Sequence, residues 1–208
     1  MNGTRHENNY VTLKGSISGN VLYSHEYDGE RFYATQMKVE RKSHLFDRIQ
    51  IMIPEMIMHN EWTKTGMIVE VKGQYRSHNN IMDGKLKLEL AVYVREYHFT
   101  GRRRIYEPVN EIYLEGYLCK APLYRKTPSG KEIADILLAV NRDYRKTDYV
   151  PCICWGKNAR IMRNKKQGSR VRILGRIQSR IYAKRELDGS ERKYMTYEVS
   201  ISNMEFFL

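Results

Sequence analysis

At 208 residues, 41% of them hydrophobic, and with a mean hydropathy of −0.64, the sequence is globular material for two small domains or one large one. Apolar stretches such as "ADILLAV" and "QIMIPEMIM" are far too short to span a bilayer, and the polar start "MNGTRHENN" carries no apolar signal region, so a cytoplasmic protein is expected. The net charge of +12 makes nucleic acid the first expected partner; a membrane surface would want a basic amphipathic helix or a lipidation signal, and neither is found.

The chain opens on "NYVTLKG" (9–15), an alternating apolar strand closed by glycine. The pattern returns as "NEIYLEG" at 110–116, and the offset of 101 carries Gly29 to Gly130, Val39 to Val140, Arg41 to Arg142 and Asp47 to Asp148. After one extra residue, "GMIVEVKGQYRS" (66–77) matches "GSRVRILGRIQS" (168–179). So many matches in one order indicate a tandem duplication. Trp62, in "NEWTKTG", has no counterpart and reads as a packing residue. The segment "FTGRRRIYEP" reads as an exposed basic linker. The expected organisation is a flexible N-terminus (1–8), a first unit (9–98), the linker (99–108) and a second unit (109–208).

In the second unit "IYLEGYL" is the first strand and "TPSGK" a turn. "EIADILLAVNRDY" and "VPCICW" are the second and third strands, and "KNARIMRNKKQG" is a short amphipathic helix. "SRVRILGRIQSRIYAKREL" and "RKYMTYEVSISNMEFFL" are long strands joined by a "DGS" turn. Five strands with a helix between the third and fourth is the order of the OB-fold. The expected fold is all-β: two tandem OB-fold five-stranded barrels, each with a short helix between strands 3 and 4.

Residues 1–98 carry a net charge of +1, 99–108 of +2 and 109–208 of +9. The second unit also holds rings among cations: Tyr144, Tyr149, Trp155 and Tyr182 among Arg142, Arg145, Lys146, Lys157, Arg176, Arg180, Lys184 and Arg185. Tyr149 and Trp155 are six apart on one strand and share a face, either toward the core or toward a ligand. Cations that track phosphates and rings that stack on bases are what an unpaired strand requires. The cysteines are Cys119, Cys152 and Cys154; a CxC pair on a strand faces one way, reads as core, and lacks further ligands at metal-binding spacing. No metal and no cofactor is expected.

The stretches "NEIYLEGYL", "TPSGKEIADILLAVNR", "DYVPCICWGKNA", "GSRVRILGRIQSR" and "TYEVSI" resemble the bacterial single-stranded-DNA-binding proteins of replication, repair and recombination, over nearly all of 110–201. The resemblance implies a sequence-tolerant single-strand binder whose four stacking positions fall on Tyr144, Tyr149, Trp155 and Tyr182, with the named cations on the phosphates. It also implies four OB domains per particle, here through a homodimer of the two-unit chain paired at first-strand edges, associated with the nucleoid. The sequence departs from the family pattern in two ways. It ends at "ISNMEFFL", without the acidic tail that recruits repair enzymes, so recruitment by that route is not expected. In the first unit the ring positions fall on Ser43, Arg48, Pro54 and Asn80, with His44, Phe46 and Tyr75 as candidate substitutes.

Three alternatives stand beside this reading. An enzyme is disfavoured, because the carboxylates are spread singly and "TPSGKE" lacks the upstream Gly and following Ser/Thr of a phosphate loop. An OB-fold interaction module of primosome or mobile-element type suits the near-neutral first unit. Single-stranded RNA would satisfy the same stacking chemistry.

Overall fold

Asn9–Ile17 (β1) turns Val11, Leu13 and Ile17 inward and lays Tyr10, Thr12 and Lys14 on the opposite face, as period-two alternation requires. The computed structural model describes residues 8–82, 85–102, 106–143, 146–185 and 189–207. The first half continues with Leu22–Tyr27 (β2), Glu30–Glu40 (β3), Phe46–Pro54 (β4), Ile68–Met82 (β5) and Lys85–Gly101 (β6). The second comprises Val109–Leu118 (β7), Leu123–Lys126 (β8), Glu132–Asn141 (β9), Thr147–Trp155 (β10), the helix Lys157–Met162 (α1), Arg170–Arg185 (β11) and Glu191–Phe206 (β12).

Both halves close in the same way. In the first, β3 runs antiparallel to β2 and β4, β4 runs parallel to β6, β6 hairpins with β5, and β1 pairs with both β5 and β3. The second repeats this pairing with β7–β12, so the duplication read from sequence is a duplication of topology. Register shifts fall at Lys72/Gly73 and Leu174/Gly175, where a Cβ on either glycine would run into the carbonyl of Tyr93 or Ser200. This explains why the duplicated units share that glycine.

The structure refines the sequence reading in four places. Among the described residues each half has six strands, because β2 and β8 form short edges; their largely exposed side chains give no apolar alternation to read. Among the described residues the first half has no α-helix between β4 and β5, only two short 3-10 turns, Glu55–Ile57 and Asn60–Thr63. Trp62 in the second of these is fully buried against Tyr97 and Phe99, with ring centroids 5.2 and 5.0 Å away. Those contacts hold β6 in the fold as far as Gly101, inside the segment expected to be linker. Finally, the halves are not separate beads: β1 and β7 pair antiparallel from Asn9↔Leu114 to Lys14↔Val109, giving one twelve-stranded sheet ordered β2-β3-β4-β6-β5-β1-β7-β11-β12-β10-β9-β8.

Two reciprocal side-chain clusters lock this seam. Asp47 on β4 is fully buried and accepts the Ser179 N–H of β11 at 2.7 Å, Arg41 Nε at 2.8 Å and Arg176 Nη1 at 3.2 Å. Asp148 on β10, its counterpart at the 101 offset, is equally buried and accepts the Ser77 N–H of β5 at 2.7 Å. Arg142 and Arg76 stand 3.1 and 3.7 Å from its other oxygen. Burial pushes the Asp148 carboxyl up, against the opposing pull of the Ser77 N–H, Arg142 and Arg76. The serine hydroxyls complete the match: Ser179 Oγ accepts the Arg48 N–H at 3.0 Å, and Ser77 Oγ accepts the Tyr149 N–H at 2.9 Å. Arg48 therefore occupies the place of Tyr149, as the offset requires.

Candidate nucleic-acid interface

β10 decides which way the rings point. Val150, Cys152 and Cys154 enter the core, whereas Tyr149 and Trp155 emerge on the opposite face with 44% and 41% of their surface exposed. The core reading of these two rings is thus excluded. Burial, and then the field of Asp135, push the Cys154 thiol up to about 12; burial also pushes the Cys152 thiol well above the usual range. Both are inert core residues. Among the described residues no group of three His, Cys, Asp or Glu could hold a metal ion, and no helix is long and apolar enough to cross a membrane.

Trp155 ends β10 opposite Ile133 and borders an open cavity of about 590 Å³ with Lys126, Gly130 and Lys131. Lys126 and Lys131 flank the "TPSG" turn, and sequence reasoning missed them because the segment was weighed only as a turn and as a phosphate loop, not as a neighbour of Trp155. Around the rings, Lys157 is exposed at the start of α1. Arg180 is 57% exposed, 3.9 Å from Glu198. Lys146 Nζ donates to Tyr27 Oη at 2.6 Å and lies 4.3 Å from that ring's centroid. Arg142 and Arg176 are drawn into the seam by Asp148 and Asp47, where burial lowers the pKa of Arg176 against the pull of Asp47. The structure therefore gives these two arginines a packing role that their spacing did not disclose. Tyr182 sits on β11 opposite Tyr194, and Lys184 and Arg185 follow on the same strand. The side chains of Tyr182, Lys184 and Arg185, and the whole of Tyr144 and Arg145, lie outside the described residues.

In the first half the three substitute rings separate. Tyr75 is fully buried: burial, then the fields of Tyr197, Cys152 and Glu198 from the other half, push its hydroxyl well up, so it is core and cannot stack on a ligand. His44 lies in a turn at φ 60°, paired with Glu40. Phe46 is 48% exposed beneath Lys38 Nζ, 4.6 Å from the ring centroid. A ring group that sequence reasoning missed lies elsewhere: His25, Phe32, His78 and Tyr93, brought together from β2, β3, β5 and β6.

The fold is thus all-β, two paired OB barrels with solvent-facing rings among cations. The description "Single-strand binding protein family" matches residues 109–207. Single-stranded DNA-binding protein 3 of Streptococcus agalactiae is 36% identical over 104 residues, covering 47% of this chain and 72% of that protein. The single-stranded DNA-binding protein of Enterococcus faecalis is 36% identical over 104 residues, covering 47% and 53%. The chain belongs to the single-strand binding protein family. It spans 53%, 60% and 64% of the length of the curated relatives from E. faecalis, Halalkalibacterium halodurans and Listeria innocua. The crystal structure of the wild-type single-stranded DNA binding protein from Thermus aquaticus matches with a TM-score of 0.70 at 18% identity, over 96% of this chain and 93% of that one. The two-barrel architecture is therefore shared along almost the whole chain.

Proposed function

We propose that the protein binds single-stranded DNA with little sequence preference, chiefly through its second half, and so protects it in replication, repair or recombination. The observation that carries this reading is the outward pair Tyr149 and Trp155 on β10, beside Lys126, Lys131 and Lys157. Each exposed ring offers a stacking surface to any base, and the cations follow the phosphates. Tyr144 and Tyr182 extend the stacking set, and Arg145, Arg180, Lys184 and Arg185 the phosphate path. The relatives named for single-stranded DNA binding, which align with this half, support the same ligand. The role is binding rather than catalysis, it needs no cofactor, and it is exercised in the cytoplasm.

The functional particle in this reading is a homodimer carrying four OB units. Since β1 and β7 already satisfy each other within the chain, a second copy must meet another surface. The outer face of the central strands suits this. It presents the half-exposed rings Tyr10 and Tyr117 between pairs of opposite charge such as Lys14–Glu70 and Arg172–Glu205, which a facing copy can match. The test of function is a fluorescence titration with oligo-dT, duplex DNA and oligo-rU at one fixed salt. Tight binding of oligo-dT with weak duplex binding is expected. Equal affinity for duplex and single strand would refute it, and preference for oligo-rU would move the ligand to RNA.

A further inference from the structure

The first half lacks the rings of the second at equivalent positions, yet it carries others. Pro54 stands where Trp155 stands, and the residue opposite it on the ladder is Phe32; opposite Trp155 is Ile133. In the first half the ring of this cross-strand pair therefore sits on the strand opposite to the one that carries it in the second. The neighbouring ladder shows a second change: Met52 pairs with Tyr93, and its counterpart Ile153 pairs with Ser200. Phe32 and Tyr93 lie 5.5 Å apart, His25 stacks on Phe32 at 5.1 Å and 12°, and His78 lies parallel to His25 at 6.1 Å and 2°. Phe32, with 8% exposure, is the deepest of the four, and His78 is exposed.

These rings line a cavity of about 690 Å³ at the seam. Its other wall comes from the second half, through Arg142, Asp143 and Lys146. Arg76 and Arg95 face it from β5 and β6, as do Glu26 from the end of β2 and Asp28 from the β2–β3 turn. Charge is therefore close to balance, and what distinguishes the cavity is stacking surface, which selects a flat heterocycle over a bare anion. Lys146 supplies the continuity. It belongs to the cationic path of the second half, and it reaches over Tyr27 at the edge of this cavity. A strand leaving Tyr149 along those cations arrives at the rings of the other half.

We propose that this seam cavity is a second base-binding site, in which a base of the strand held by the second half stacks on the cluster of His25, Phe32, His78 and Tyr93. The proposal rests on the single-strand reading above and adds a first-half contact that only a longer strand can make. It is tested by titrating oligo-dT of stepped length into the wild type, the double variant His25→Ala/His78→Ala, and His78→Ala alone, whose exposed side chain leaves the fold intact. Short oligonucleotides that quench Trp155 should bind all three alike. Lengths that span the seam should bind the double variant roughly 5- to 150-fold more weakly, the loss expected for one base stack. His78→Ala should show the same length-dependent loss to a smaller degree. Unchanged affinity at every length, in variants that melt as the wild type does, would overturn the proposal while leaving the second-half site standing. A wild type that binds no oligo-dT at any length would instead refute the single-strand reading, and this proposal with it.

Discussion

Replacing Trp155 with alanine separates a stacking ring from a packing ring, and the structure sets both magnitudes. With 41% of its surface exposed, the ring contributes only part of the burial energy of a large side chain, about 1–2 kcal/mol. For a chain of this size that lowers Tm by about 2–8 °C. Loss of one base stack costs about 1–3 kcal/mol, or roughly 5- to 150-fold in affinity for oligo-dT. A ring buried in the core would behave in the opposite way, costing about 3–5 kcal/mol of stability with no separate effect on binding. The sequence has two tryptophans, and the other, Trp62, is fully buried. In Trp155→Ala the remaining fluorescence should therefore be almost insensitive to oligo-dT, whereas the wild type is quenched. The assay is a thermal melt beside a quenching titration, with affinity in the variant read by anisotropy of a labelled oligonucleotide. A fall in Tm beyond about 10 °C with unchanged affinity of the folded protein would refute the reasoning.

Three further outcomes follow from the same geometry. Lys126→Ala, Lys131→Ala and Lys157→Ala should each weaken oligo-dT binding regardless of sequence and flatten the log–log salt dependence by about 0.7 per lost phosphate contact; an unchanged slope would remove that residue from the path. Asp148→Ala removes the acceptor of the Ser77 N–H and should cost about 1.5–3 kcal/mol, a Tm fall of about 3–12 °C, and because burial raises the Asp148 pKa the proton-linked part of its contribution is fully present below the unfolded carboxylate pKa and lost as pH rises through the folded value, while the hydrogen bond to Ser77 persists, so the gap to wild type should be wider in acid than at neutral pH; a gap that widens toward neutral pH would refute this sign. Light scattering in dilute, DNA-free buffer should give about twice 24.7 kDa, and a mass near 24.7 kDa would count against the homodimer.

The repeat in the sequence carried much of the architecture because the features that recur are those the barrel cannot do without. Gly73 and Gly175 sit where a side chain would strike a neighbouring carbonyl, and Asp47 and Asp148 are the buried acceptors of the seam. Position alone marked them as equivalent, but no spacing says that a matched aspartate is buried against the opposite half. Arg142 and Arg176 were legible as charges and illegible as seam residues for that reason. The edge strands β2 and β8 escaped notice because they pair on one side and bury almost nothing. The direction of Tyr149 and Trp155 needed the strand itself: alternation places them together but does not say on which side.

The first half shows a further limit of reading by offset. Comparing position with position reports Pro54 as a lost ring, and it cannot report that the partner across the ladder, Phe32, has gained one. The same kind of exchange occurs at the seam. Arg76 on the arm of the first half reaches Asp148 of the second and Arg176 on the arm of the second reaches Asp47 of the first, but the glutamine bonded to each arginine precedes it in the first half (Gln74) and follows it in the second (Gln178). Each buried aspartate still meets one arginine from its own half and one from the other. Two identical chains related by a two-fold axis would have to present the same order on both arms. Two units fused into one chain need not. Fusion thus frees the two faces to diverge while the seam holds them in one sheet, so one unit can keep its rings on β10 and the other gather a different set beside the seam.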